Sequence, residues 1–75
     1  MDIHSGLTAV FEQHGNDYIA YIEEIEGVNT QGATIEEART NLLEALELII
    51  DVRREIAREE QAGKTIIKEE IKMVA

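Results

Sequence analysis

The sequence contains no cysteine, no proline and no long apolar run. Without cysteine, the chain has neither a disulfide to stabilise a small fold nor a thiolate for metal or redox chemistry. Without a run of about 18 apolar residues or a charged-then-apolar N-terminal segment, we expect no membrane span, no signal peptide and a cytoplasmic protein.

We interpret residues 1–75 as one domain. A chain of this length buries only roughly 60% of its surface, so association with another chain is the expected way to stabilise it.

Basic residues are scarce: seven Lys and Arg stand against sixteen Asp and Glu, for a net charge of -9. Residues 1–33 contain no Lys or Arg, whereas all three lysines follow Gly63. Such a surface repels the phosphates of nucleic acids, so we expect no direct nucleic-acid binding. It attracts a basic partner, although solubility alone is the other explanation for an acidic composition.

A helix start lies at Thr34, whose hydroxyl can cap the first turn, with Glu37 placed to complete a capping box. Gly63 is a stop signal, so we predict a helix over residues 35–61. Its apolar residues recur at the spacing of a face that packs on a sheet: Ile35, Ala38, Leu42, Ala45, Leu46, Ile49, Val52 and Ile56.

Two strands are predicted over residues 6–13 and 17–24, joined by a Gly15-Asn16 turn, and a short polar edge strand over 28–32. Neither hairpin strand has a wholly polar face, whereas one helix can cover only one face of a sheet. We therefore expect the second face to be an interface between copies, in a dimer or tetramer. Its predicted interface residues are Val10, Ile19 and Tyr21.

After Gly63 the apolar period returns to two, which predicts a fourth strand. Ile67, Ile71 and Met73 alternate there with Lys68, Glu70 and Lys72. A parallel pairing of this strand beside strand 1, through a right-handed crossover, is the least strained connection. The predicted fold class is α+β. It consists of a single β-β-β-α-β domain whose four-stranded sheet, in the order 3-2-1-4, is covered on one face by one long helix.

Candidate catalytic groups are few. His4 and His14 are the only candidates for a general base of the histidine type, and both are expected at the surface. Glu23, Glu24 and Glu26 lie close enough in sequence to bind a divalent cation or to act as an acid–base pair. However, no phosphate-binding loop or activated nucleophile accompanies them. We predict no enzyme activity, no metal and no cofactor, and interpret the acidic loop as solvated or partner-binding.

The chain resembles the HicB family of antitoxins and antitoxin-like proteins over essentially its whole length, strongly over residues 18–50. The resemblance rests on the aromatic-alanine strand Tyr18-Ile19-Ala20-Tyr21, the acidic loop ending at Gly27, the Gly32-Ala33-Thr34 step and the Glu36-Glu37-Ala38 helix start. It implies a partly RNase-H-like domain without nuclease activity, which forms homo-oligomers and masks a small basic mRNA-cleaving toxin of the HicA type. The sequence departs from the family in having no proline in the acidic loop, and we expect no C-terminal DNA-binding module of the kind that many family members carry.

The leading hypothesis is therefore an antitoxin-like protein that neutralises a HicA-type toxin. The acid-only N-terminal region is the predicted toxin-binding part, with Asp17, Glu23, Glu24 and Glu26 as its contact residues. The alternative is a stand-alone homo-oligomeric regulatory protein with no toxin. A third hypothesis, a metal-dependent hydrolase on the RNase-H-like scaffold, would need several carboxylates around Mg²⁺ or Mn²⁺.

Overall fold

A computed structural model describes residues 6–72. Three strands precede one helix: β1 (Ala9–His14), β2 (Asp17–Ile22), β3 (Asn29–Gly32) and α1 (Ile35–Gln61). His4 and Met73, which entered the predictions above, lie outside the described residues. No helix in the described part of the chain combines the length and the apolar character that a membrane crossing requires.

β1 and β2 form an antiparallel hairpin, from the pair Ala9 and Ile22 to the pair His14 and Asp17. The Gly15-Asn16 turn is confirmed. Gly15 has φ +62°, as expected for glycine at the first central position of a primed hairpin turn. β3 pairs with β2 in antiparallel fashion, so β2 is the central strand and β1 and β3 are the two edges.

The core lies between the sheet and the first half of α1. Among residues 6–72 it contains five buried hydrophobic residues: Ala20, Ile22, Val28, Ala38 and Leu42. Small residues let the helix approach the sheet closely. A Cβ added at Gly32 would stand only 2.5 Å from the backbone nitrogen of Ala38.

The predicted start of α1 is confirmed. The Glu37 N–H donates to the Thr34 hydroxyl at 3.0 Å, and Thr34 has the extended backbone of an N-cap. The reciprocal bond of a capping box, from the Thr34 N–H to the Glu37 carboxylate, is not formed within residues 6–72. The Asn41 side-chain amide instead donates to the Gln31 carbonyl at 2.9 Å, which ties the second turn of the helix to β3.

The predicted fourth strand is wrong. Residues 64–72, hereafter the tail, form no strand, and Ile67 and Ile71 are 90% and 86% exposed. The four-stranded sheet in the order 3-2-1-4, and with it the β-β-β-α-β topology, is therefore corrected to a three-stranded antiparallel sheet and one helix, β-β-β-α.

The physical reason is the length of α1. Its 27 residues span about 40 Å, whereas a strand of six residues spans roughly 20 Å. The buried and half-buried helix residues that pack on the core extend only from Ala38 to Ile49. The second half of α1 therefore projects past the sheet, and the tail lies beside this half, where Lys68, Glu69 and Glu70 border a groove along the helical surface from Arg54 to Gln61.

Candidate binding surface

The face of the sheet opposite α1 carries no covering element within residues 6–72. We call it the open face. It consists of Val10 and Glu12 from β1, Ile19 and Tyr21 from β2, and Asn29 and Gln31 from β3.

The three predicted interface residues come together on the open face. Val10 lies directly opposite Tyr21 in the ladder, and Ile19 lies two residues from Tyr21 on the same side of β2. All three are half-buried. A shallow depression of about 390 Å³ runs beside Ile19 along β2 and β3. The surface therefore has an apolar centre, whereas its use as an interface stays a prediction.

The four predicted partner-binding acids do not form one patch. Asp17 begins β2, next to the hairpin turn, whereas Glu23, Glu24 and Glu26 follow the other end of that strand. A six-residue strand separates the two groups by roughly 17 Å. Asp17 lies instead beside Gly32 and Glu37, in a depression of about 300 Å³ at the start of α1.

Glu24 differs from its acidic neighbours because its carboxylate has a structural role. The Thr8 N–H and the Thr8 hydroxyl both donate to it, each at 2.7 Å. Charge-assisted bonds of this kind are stronger than neutral ones, and these hold the entry of β1 against the β2–β3 loop. Sequence reasoning missed this role, because only the strand register brings Thr8 and Glu24 together. Glu23 and Glu26 are exposed.

His14 contacts Glu12, with 3.3 Å between Nε2 and the carboxylate, and both side chains are more than half exposed. Solvent screens such a pair, so it contributes little to stability. In the portion of the chain that is described, no three His, Cys, Asp or Glu side chains are grouped as a metal site would require. Glu23, Glu24 and Glu26 are thus close in sequence but do not form a cation cage there.

Arg39 lies over the Phe11 ring, with 5.5 Å between the guanidinium carbon and the ring centroid. This cation–π contact links α1 to the edge strand β1 on the side opposite the open face. It was not predicted, because the orientation of the helix across the sheet decides which helical residue reaches β1.

Electrostatically, the open face has an acidic margin. Glu12 lies on it and Asp17 lies at its turn end, while the exposed Glu23 and Glu26 lie beyond its other end. The first basic residue of the chain is Arg39, on the helix. An apolar centre with carboxylates at both ends is complementary to a surface that presents apolar groups flanked by Lys and Arg.

Comparison with known proteins identifies a family. Residues 7–57, more than half of the chain, match the family model described as UPF0150-like. Neither a curated protein nor a solved structure matches the chain. The matched region contains all three strands, the acidic loop and most of α1, so both the open face and its acidic margin lie within it. The chain belongs to the UPF0150-like family.

Proposed function

We propose that this protein is an antitoxin-like binding protein that neutralises a small basic HicA-type mRNA-cleaving toxin. Two findings support the proposal. The UPF0150-like family is an antitoxin-type family of small proteins, and the chain, most strongly over residues 18–50, resembles the HicB antitoxins in the order and spacing of its motifs.

The observation that carries the proposal is the open face. Val10, Ile19 and Tyr21 form its apolar centre, and carboxylates stand at both ends of a chain whose net charge is -9. An enzyme that cleaves mRNA must present basic side chains to the phosphates of its substrate. Those side chains are the natural counterparts of Glu12, Asp17, Glu23 and Glu26.

Neutralisation in this scheme is masking and requires no chemistry from the antitoxin. The apolar centre, which the sequence predicts as an interface between copies, would in this proposal bury against the toxin instead and supply most of the affinity, because desolvated apolar and aromatic residues dominate binding energies. The carboxylates would compete with RNA phosphates for the toxin's basic side chains and steer the encounter. We propose accordingly that the chain is not an enzyme.

The test is co-expression with the product of the adjacent gene, if that product is a small basic protein. Rescue of growth is the expected result. Purified proteins then give the binding constants, and Ile19→Asp with Tyr21→Asp should weaken binding roughly a hundredfold, because two charges would be buried at the centre of the interface. Failure of the native chain to rescue growth or to bind the product would contradict the proposal.

The acidic margin is tested separately with Glu23→Lys and Glu26→Lys together, leaving Glu24 intact because of its bonds to Thr8. Association should slow about tenfold at low salt and lose much of its salt dependence. The matched control is Glu59→Lys with Glu60→Lys, the same change of charge at exposed positions near the far end of α1. Equal effects in both variants would show that net charge alone matters and that the acidic loop makes no contact.

The alternative function is a stand-alone homo-oligomeric regulatory protein with no toxin. The observation that favours it is the exposure of Ile67 and Ile71 in the tail. Exposed apolar side chains of this kind favour a contact between the tail and another copy of the chain. The growth-rescue experiment distinguishes the two functions. A protein that oligomerises but neither binds nor neutralises the adjacent gene product would favour the alternative.

A further inference from the structure

We propose that the tail of one copy pairs, as an added strand, with the free edge of β1 in a second copy, and that the exchange is reciprocal. The result is a dimer with twofold symmetry in which each three-stranded sheet gains a fourth strand from its partner. The inference concerns the chain alone and is independent of any toxin.

The tail has the composition of a strand but none of its contacts. Thr65, Ile66 and Ile67 are consecutive β-branched residues, a type that favours strands. Every residue from 64 to 72 is exposed, including Ile67 at 90% and Ile71 at 86%. Residues two or four apart lie on the same side of a strand, so Ile67 and Ile71 would share one face, with Glu69 between them.

The receiving edge is β1, which pairs only with β2 in the described part of the chain. The Glu23 N–H donates to the Thr8 carbonyl at 2.9 Å, which identifies Thr8 as a residue bonded toward β2. In an antiparallel ladder this direction alternates. The backbone groups of Ala9, Phe11 and Gln13 therefore point outward and are available to another strand.

The tail lies beside its own helix and away from its own β1. Lys68, Glu69 and Glu70 border an open groove of about 510 Å³, whose other side is the helical surface from Arg54 to Gln61. This surface belongs to the part of α1 that projects past the sheet. In this position the tail does not pair with the chain's own β1, so it is available to the β1 of a second copy.

The apolar stripe of α1 indicates the same partner. Val52 and Ile56 continue the stripe that packs on the sheet through Ile49, yet they are 45% and 48% exposed because the sheet ends before them. A second copy whose β1 holds the tail would lie next to this segment. The tail and the end of the helix would then be covered by the same neighbour.

Charge complementarity also favours a second copy of the chain as the partner of the tail. All three lysines of the chain are in the tail, which also carries Glu69 and Glu70 and so has a net charge of +1, whereas residues 1–33 carry six acidic residues and no Lys or Arg. Lys64 and Lys68 make no ion pair within residues 6–72, and the Lys72 pair with Glu70 is long, at 3.9 Å, and exposed. An acidic hairpin is the complement of such a strand, and each copy carries one.

The exposed area matches what a dimer needs. The chain exposes 6442 Å², whereas a compact monomer of its 8.4 kDa mass exposes about 4600 Å². Its radius of gyration is 15.8 Å, against about 11 Å for a compact domain of this length. A specific interface buries roughly 800 Å² on each partner. The excess area is therefore larger than the area that each partner of a specific dimer buries.

The first test is the molar mass of the full chain alone by light scattering over a range of concentrations. We expect twice the mass of one chain. The double variant Ile67→Asn and Ile71→Asn should raise the dimer dissociation constant roughly a hundredfold, because it removes the apolar side of the added strand. Ile67→Val with Ile71→Val keeps that side and should stay dimeric. A native chain that is monomeric up to high micromolar concentration, or a dimer that the asparagine variant leaves unchanged, would overturn the proposal.

A second variant addresses the receiving edge. Gln13→Pro removes an N–H that points away from β2, so the hairpin should keep its ladder while the added strand loses a bond. We expect at least a tenfold weaker dimer with an unchanged circular dichroism spectrum of the monomer. An unchanged dimer would exclude the β1 edge.

Cross-linking identifies the contact directly in a chain that has no cysteine of its own. Gln13→Cys and Lys68→Cys, introduced together, are treated with a bifunctional maleimide reagent at low protein concentration. The expected product joins position 13 of one chain to position 68 of another. A link within one chain, or none between these positions in a dimeric sample, would overturn the proposal. Failure here leaves the toxin-binding proposal intact, because that one depends on the open face.

Discussion

The two halves of α1 have the same apolar period but different surroundings. In the first half, Ala38 and Leu42 are buried against the sheet, and Ala45, Leu46 and Ile49 pack around them. In the second half, Val52 and Ile56 occupy equivalent positions of the stripe and are exposed. An amphipathic pattern thus shows that a helix face needs a partner, but it does not say whether the same chain supplies it. The stability of the monomer should depend on the first half alone.

The largest expected difference between the halves comes from truncating one large apolar residue in each. Leu42 is only 2% exposed, so Leu42→Ala should lower the free energy of unfolding by about 3 kcal/mol through lost burial and a cavity. Ile56→Ala should lower it by less than about 1 kcal/mol in dilute monomer, because Ile56 is already half in water. Urea unfolding followed by circular dichroism measures both. Equal losses would show that the two halves are packed alike.

A smaller effect is expected where the helix meets the sheet most closely. Gly32→Ala should cost about 2 kcal/mol, because the new methyl group would meet the backbone of Ala38 at 2.5 Å and push the helix start away from β3. Gly6→Ala is the matched control, since a Cβ there has no neighbour within 4 Å. Thermal unfolding of the two variants gives the comparison. A Gly32 variant as stable as the control would mean that the helix start shifts at no cost.

The smallest effect concerns the cap. Thr34→Ala removes the acceptor of the Glu37 N–H and should cost about 1 kcal/mol. Thr40→Ala, at an exposed position inside the same helix, should be neutral or slightly stabilising because alanine is the better helix former. The free energies of unfolding of the two variants, measured in parallel, separate the contribution of the cap from that of helix propensity. A loss at position 40 as large as that at position 34 would contradict the capping assignment.

Much of the fold was predictable from local signals. The bounds of α1 follow from Thr34 at one end and Gly63 at the other, and the hairpin turn follows from Gly15-Asn16. These signals act over a few residues, through hydrogen bonds and backbone angles that need no distant partner. For the same reason the side-chain alternation of the hairpin correctly placed Val10, Ile19 and Tyr21 on one face.

The wrong prediction, the fourth strand, has a physical cause. The alternation of Ile67 and Ile71 indicates strand propensity, yet a strand also needs backbone partners on a sheet edge, and the tail lies instead beside the part of α1 that projects past the sheet. The use of the acidic residues for partner binding stays a prediction, and the strand between Asp17 and Glu24 puts these two in different places. Glu24 is bonded to Thr8, whereas Asp17 lies near the helix start.

The sequence by itself determined where the strands turn, where the helix begins and ends, and how the charge is distributed, because those properties depend on residues close together in the chain. Only the tertiary structure decided which apolar residues are covered. Burial depends on distances between elements, and a helix of 27 residues over strands of four to six leaves its second half and the tail beyond the sheet.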